Sequence, residues 1–213
     1  MMNMKYLLLL LFFALSITLQ AQDNFSPELS FGVRQGANYS SVYADPGIAQ
    51  SEMLRYSGGV SFKYSVEKYR GIQIEINYEQ YGWREPNPYL PEYYHKVDYI
   101  DIPVFAQLYV GMKNRILLNI GPTISFKVSE SQTHVDPDSP GNMYHYNKEA
   151  AGFDYSITGG LGYARKFSFG TLQLEGRYKM GLISMFEQNI EEEFETARHQ
   201  VINVSLLYFY RKN

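Results

Sequence analysis

Histidine is the side chain whose ordinary pKa lies nearest neutrality. The four in this sequence, His95, His134, His145 and His199, all fall in or beside long polar connections. His145 has Asp136, Asp138 and Glu149 near it, donor types suited to a loop cation, but no dense ligand spacing such as His-x-x-x-His accompanies them. His199 with Ser184 or Ser129 offers a base and a hydroxyl, yet no spacing marks the orienting acid that a hydrolase rim requires. Cysteine is absent, which removes thiolate catalysis, disulfides, Cys-ligated metals and lipid attachment to an N-terminal Cys. The expectation is therefore no catalytic residues, no metal and no cofactor. With 19 Lys and Arg against 22 Asp and Glu, and a net charge of −3, there is no basic face for nucleic acid either.

Two stretches carry interaction chemistry. Pro86-Asn87-Pro88-Tyr89-Leu90-Pro91-Glu92-Tyr93-Tyr94 is stiffened by proline, and its Tyr89, Tyr93 and Tyr94 suit either partner recognition or packing over a neighbouring opening. Glu191, Glu192 and Glu193, followed by Glu195, form the densest charge run, read as a solvated loop or as a site for a cation or partner. A third group is placed differently. Arg34, Lys63, Glu75, Asp101, Lys127, Asp154, Glu175 and Arg177 sit at alternate positions inside apolar segments, four cations against four anions.

Those segments decide the class. Eight stretches alternate with period two: Leu29 to Tyr39, Tyr56 to Val66, Ile72 to Tyr78, Ile100 to Val110, Ile116 to Val128, Phe153 to Tyr163, Leu172 to Leu182 and Ile202 to Tyr210. Successive side chains of a strand point to opposite faces, so each stretch has one apolar and one polar face. Alternation alone fits a soluble barrel with an apolar interior as well as a membrane barrel with an apolar exterior. Strands of about 10 or more residues suit a tilted bilayer span. The connections also alternate: short at Glu67–Gly71, Gly111–Asn114 and Lys166–Gly170, long at Ser40–Leu54, Arg84–Lys96, Ser129–Ala151 and Ser184–Arg198. Short turns on one side and long loops on the other are the outer-membrane barrel pattern. Tyr39, Tyr56, Tyr64, Tyr78, Trp83, Tyr163, Tyr178 and Tyr208 lie toward segment ends, where interfacial aromatics belong. Pro103, inside the fourth stretch, cannot donate to a ladder and predicts a bulge with its ring facing inward.

The first 21 residues read as an address. Lys5 is followed by an apolar run from Tyr6 to Ile17 and a small residue, Ala21, before Gln22. No run of about 18 or more apolar residues marks a membrane-spanning helix. The expectation is a signal peptide over 1–21 and one barrel domain over 22–213. An even strand number then places both termini on the short-turn, periplasmic side.

Phe31-Gly32-Val33-Arg34-Gln35-Gly36-Ala37-Asn38-Tyr39-Ser40, Tyr99-Ile100-Asp101-Ile102-Pro103-Val104, Asn119-Ile120-Gly121-Pro122, Gly159-Gly160-Leu161-Gly162-Tyr163 and Glu175-Gly176-Arg177-Tyr178 resemble the strands of the PorT-like outer-membrane β-barrel family of Bacteroidetes. The resemblance spans nearly all of the chain beyond the address. It implies an outer-membrane barrel, and the family's name comes from a protein needed for type IX secretion.

The reading is an all-β, eight-stranded, antiparallel up-and-down transmembrane barrel, monomeric, in the outer membrane of a Gram-negative bacterium. Eight strands enclose a space that side chains fill, so the eight interior charges are expected to pair as a structural network. The expected role is structural, adhesive or partner-binding, exerted through four long loops, without catalysis and with outer-membrane lipid as the surrounding partner. Two alternatives are an accessory component of a secretion machinery, and a small-solute pore or lipid-active enzyme.

Overall fold

In the computed structural model, residues 26–45, 50–86, 92–135, 149–184 and 196–210 are described. They form β1 (Glu28–Asp45), β2 (Ser51–Ser65), β3 (Arg70–Glu85), β4 (Tyr93–Gly111), β5 (Asn114–Gln132), β6 (Phe153–Lys166), β7 (Gly170–Gly181) and β8 (Thr196–Tyr210). Each strand pairs antiparallel with the next, and β8 returns to β1 to close the barrel. The address over 1–21 lies outside the described residues.

Which face is inside is decided by neighbours on β3. Ile74 and Ile76 are 42% and 47% exposed, and Glu75 between them is fully buried. The same parity runs round the wall: Phe31, Val60, Val104, Leu118, Ile157, Leu174 and Val204 face outward, and Arg34, Ser61, Gln107, Asn119, Ser156, Gln173 and Asn203 face inward. An exterior of aliphatic side chains around a polar interior is the inverse of a soluble fold and matches hydrocarbon as the surrounding solvent.

Pairing followed once round the wall sets the stagger. Asn38 lies beside Asn203, then Arg177, Gly160, Asn119, Gln107, Gly71 and Ser65, and the path rejoins β1 at Glu28, ten residues away. Closing eight strands with that offset tilts them by about 40°. The long connections are shorter than the sequence pattern suggests. Pairing continues up to Asp45 with Thr196 and Glu85 with Tyr93, so the ladder extends beyond the apolar belt. At the other end, the turn of Met112 and Lys113 is entered through Gly111 at φ +112°, where a Cβ would meet the Asn114 carbonyl oxygen at 2.0 Å. Only glycine fits there.

Pro103 does face inward, but the expected bulge is elsewhere. The ladder skips the steps beside Pro103 toward β3 and beside Pro122 toward β5's partner without changing register. The irregularities fall between Asp98 and Tyr99, and between Glu52 and Ser57 on β2. A proline removes a donor and leaves the register to its neighbours, so it need not displace the strand. Trp83 is also corrected: it shares the inward parity of Glu75 and Tyr81, is 1% exposed, and donates Nε1–H to Glu85 Oε1 at 2.7 Å.

The β2 irregularity leaves Gln80 to Gly82 without ladder partners on β2, and β1 reaches across to supply them. Asn38 Nδ2 donates to the Gln80 carbonyl at 3.2 Å. The Ser40 hydroxyl accepts from Gly82 N–H at 2.9 Å and donates to Gly82 C=O at 2.8 Å, as a strand residue would. Ser40→Ala leaves both groups buried and unpaired and is expected to lower stability by about 1–3 kcal/mol. Ser61, equally buried, has a hydroxyl with no hydrogen-bond partner. Ser61→Ala is therefore expected to stay within about 0.5 kcal/mol when both variants are compared with the unaltered chain by urea unfolding in lipid vesicles.

Candidate functional site

The interior is organised around one carboxylate. Glu75 on β3 takes both Arg177 Nη groups at 2.7 Å, Gln73 Nε2 at 2.6 Å and Asn77 Nδ2 at 2.8 Å. Four donors occupy the roughly four lone-pair sites of a carboxylate. The Arg177 guanidinium also donates Nε–H to Glu175 Oε2 at 2.6 Å and lies on the Phe105 ring, 4.6 Å from its centre. Glu175 Oε1 accepts from Asn119 at 2.7 Å and from the Gln173 amide, and Gln107 ties Asn119 to Gln73. These side chains come from β3, β4, β5 and β7 and cross the whole lumen.

Above this layer, Arg34 pairs with Glu79 at 2.6 Å and donates to Asn203 at 2.7 Å, while Asn38 holds the other Glu79 oxygen. On the facing wall, Lys179 Nζ donates to Asp101 Oδ2 and Ser125 Oγ, both at 2.8 Å, and the Tyr81 hydroxyl donates to the same Asp101 oxygen at 2.7 Å. A cavity of about 30 Å³ lies among Arg34, Glu79, Asp101 and Lys179. A second of similar size opens at the short-turn end beside Lys63. The Gln73–Glu75–Glu175–Arg177 layer stands between the two.

The eight charges singled out by sequence parity divide into three groups. Arg34, Glu75, Asp101, Glu175 and Arg177 lie in the central network. Lys63 and Asp154 are buried but make no ion pair among the described residues: Lys63 donates to the Gln173 side-chain amide oxygen Oε1 at 2.5 Å, and Asp154 Oδ2 has no hydrogen-bond partner. Lys127 belongs to the upper rim, where it binds Glu130 at 2.7 Å and the Ala150 carbonyl at 2.5 Å. The balance of four cations and four anions is corrected as well. Among the described residues the buried set is Arg34, Lys63, Arg177 and Lys179 against Glu75, Glu79, Glu85, Asp101, Asp154 and Glu175. Lys179, Glu79 and Tyr81 were missed as members, although the inward parity of their strands marks all three.

Over the network sits an apolar cap of Val42, Tyr81, Trp83, Val97, Tyr99, Ala150, Ala197 and Val201. His95 and His199, expected beside loops, are inside it, because both lie on strand extensions at inward positions. His95 stacks on Trp83 with centres 4.4 Å apart and meets Glu130 Oε1 at 2.6 Å; His199 packs between Tyr81 and Tyr99. Ser129 is exposed on the outside of β5, so no base and hydroxyl come together there. Tyr93 is buried and donates to Gln132 at 2.8 Å; Tyr94 is half-buried beneath the Lys96 ammonium. His134 and Glu149 are exposed, and among the described residues no His, Asp and Glu cluster could hold a metal. Tyr89, Asp136, Asp138, His145, Glu191, Glu192 and Glu193 lie outside the described residues.

Glu130 lies above the apolar belt and latches the β5–β6 connection, accepting from His95, Lys127 and the Ala150 amide. Burial raises its carboxyl, but the His95 and Lys127 hydrogen bonds and the Ala150 N–H outweigh it and hold the group down at about 2.

A family model for the outer membrane protein beta-barrel domain matches residues 20–187. The chain belongs to the outer membrane protein beta-barrel domain family. It is an outer-membrane protein. No curated relative matches the sequence. Among solved structures, it is similar to Neisserial surface protein A (NspA), with 13% identity over 85% of this chain and 98% of that one, at a TM-score of 0.47. It is also similar to Ail, the attachment invasion locus protein of Yersinia pestis, with 10% identity over 86% and 99% and a TM-score of 0.39. OprG from Pseudomonas aeruginosa matches with 10% identity over 87% and 95%, at 0.44.

Two outcomes follow for this barrel. Arg177→Met strands Glu75 and Glu175 without their shared cation and is expected to cost about 3–5 kcal/mol. Arg84→Gln, at an exposed pair with Glu92, is expected to cost under about 1 kcal/mol. Urea unfolding in lipid vesicles, followed by the single tryptophan, Trp83, compares them. For Glu130, a carboxyl held below its ordinary 4.5 stabilises the folded cap above that pH and loses its contribution as pH falls toward about 2. Trp83 emission is expected to be flat from pH 7 to 5 and to change below 4.5, and Glu130→Gln is expected to flatten the change.

Proposed function

We propose that this protein is a non-conducting, non-catalytic outer-membrane barrel that acts through its upper rim, as an adhesive, structural or partner-binding element. The observation that carries this reading is the filled lumen. A hydrogen-bonded layer anchored on Glu75 and Arg177 spans the interior, and an aromatic cap closes over it. Such an interior gives a solute no path through the barrel. The upper rim, by contrast, carries the half-buried Tyr94 at the start of β4 and the exposed Glu149 before β6. Tyr89 and the Glu191 to Glu193 run belong to the same reading, as do the partners it implies, outer-membrane lipid and other envelope proteins.

On this reading residues 1–21 are a cleaved signal peptide, both termini are periplasmic, and the barrel is a monomer. The strand motifs that resemble the PorT-like family of Bacteroidetes support an accessory part in a secretion machinery as the second role, with the rim or the short turns binding another subunit.

Planar-bilayer recording of the refolded chain is expected to give no steps above baseline. Arg177→Met, Glu75→Met is expected to remain closed too, because Phe105 and the Gln and Asn layer still fill the lumen. Stable conductance from the unaltered chain would reverse the proposal in favour of a pore. Affinity capture from crosslinked envelopes, with and without residues 87–91 and 185–195, then separates rim-mediated binding from contacts at the short turns.

A further inference from the structure

The short-turn mouth of the lumen is built differently from the centre. Its cavity, of about 30 Å³, is lined by three cations, Lys63, Arg115 and Lys166, and by one carboxylate, Glu28. Lys63 is only 8% exposed, yet among the described residues no carboxylate lies within 4.0 Å of its ammonium. Its partners are neutral: the Gln173 amide oxygen at 2.5 Å and the face of Phe209, 4.1 Å from the ring centre. The acid next in line, Glu175, is reached only through the Gln173 amide. Among the described residues Arg115 likewise has no carboxylate partner; it donates Nε–H to the Met112 carbonyl at 3.2 Å and lies over Tyr109. Lys166 approaches Glu28 at 3.9 Å, at the outer edge of the same opening.

An ammonium has three N–H bonds, and burial makes an uncompensated one costly. Everywhere else in this interior the strands place a carboxylate beside a buried cation: Glu75 and Glu175 by Arg177, Glu79 by Arg34, Asp101 by Lys179. At this mouth they place two further cations and the hydroxyls of Ser65 and Thr171 instead. We propose that the mouth binds a compact oxyanion, a phosphate or phosphomonoester group, held by Lys63, Arg115 and Lys166. A tetrahedral oxyanion seated at the open end of this mouth offers separate oxygens to the cations that line it. The group reaches the mouth either on a soluble molecule or as the headgroup phosphate of a lipid at the membrane boundary.

The test uses the full chain refolded in a maltoside micelle, which contains no phosphorus, with inorganic phosphate titrated by ³¹P NMR. Saturable binding is expected, weakened at least about tenfold by Lys63→Met and by Arg115→Gln with Lys166→Gln, and unchanged by Arg84→Gln at the opposite rim. A heat-shifted gel band checks that each variant is folded. If Lys63→Met does not fold, the Arg115 and Lys166 variant carries the comparison by itself. No saturable binding by the unaltered chain, or equal binding by the variants, overturns the proposal. Displacement of bound phosphate by lysophosphatidylglycerol, tested in the same sample, assigns the site to a lipid headgroup; phosphate that stays bound assigns it to a soluble molecule.

Discussion

The rest of this structure follows from one constraint: in hydrocarbon, a backbone N–H or C=O without a partner costs several kcal/mol, so the sheet has to close. Closure runs from Phe31 beside Tyr210 to Asp45 beside Thr196, with no free edge in the belt. Where the sequence breaks the ladder, other groups repair it. The irregular stretch of β2 leaves Gly82 without a partner on that side, and Ser40, from a strand two places away, presents one hydroxyl as donor and acceptor at once. Pro103 and Pro122 each interrupt a neighbouring ladder over two residue pairs and leave the register intact.

Closure at eight strands with an offset of ten residues also fixes the size of the interior, and so what it can contain. The space admits side chains and little else. Polar residues forced inward by parity have little water around them, so the mid-depth charges find partners across the lumen, as Glu75 and Arg177 do from opposite walls. The pairing is dense because it has to be: an unmatched charge at mid-depth would cost more than the pair contributes. The polar layer and the aromatic cap are thus consequences of the same geometry that keeps the outside aliphatic.

Parity was legible in the residues, and height was not. Period-two alternation assigns each side chain to a face, which is why Arg34, Glu75, Asp101, Glu175 and Arg177 were found as interior groups. It says nothing about the level at which a residue sits in a tilted, staggered wall. Lys127 and Lys179 both point inward, but Ser125, beside Asp101, defines the level at which Lys179 meets its acid, and Lys127 is one inward position higher, at the rim. Register depends on where irregularities fall; the shift near Asp98 carries no proline or glycine, and Gly82, opposite the shift on β2, is one glycine among many in these strands. Trp83, His95 and His199 were misplaced for a related reason: the strands run past the belt, so residues that read as loop or girdle are still inside the barrel. Their alternation with Arg84, Lys96 and Arg198 was the available signal.

Depth also explains how charge is distributed along the axis. The buried acids outnumber the buried cations, but the excess does not sit in the middle. Glu85 and Asp154 lie toward the upper opening, and Lys63 lies toward the short turns with Arg115 and Lys166 near it. At mid-depth each charge has an opposite charge within hydrogen-bond reach, because water is furthest away and the penalty for an unpaired ion is greatest there. Toward the mouths, by contrast, Lys63 and Asp154 stand without an ion pair among the described residues. The two ends of the lumen, acidic above and basic below, are therefore where this barrel can afford residues that face a ligand or partner instead of each other.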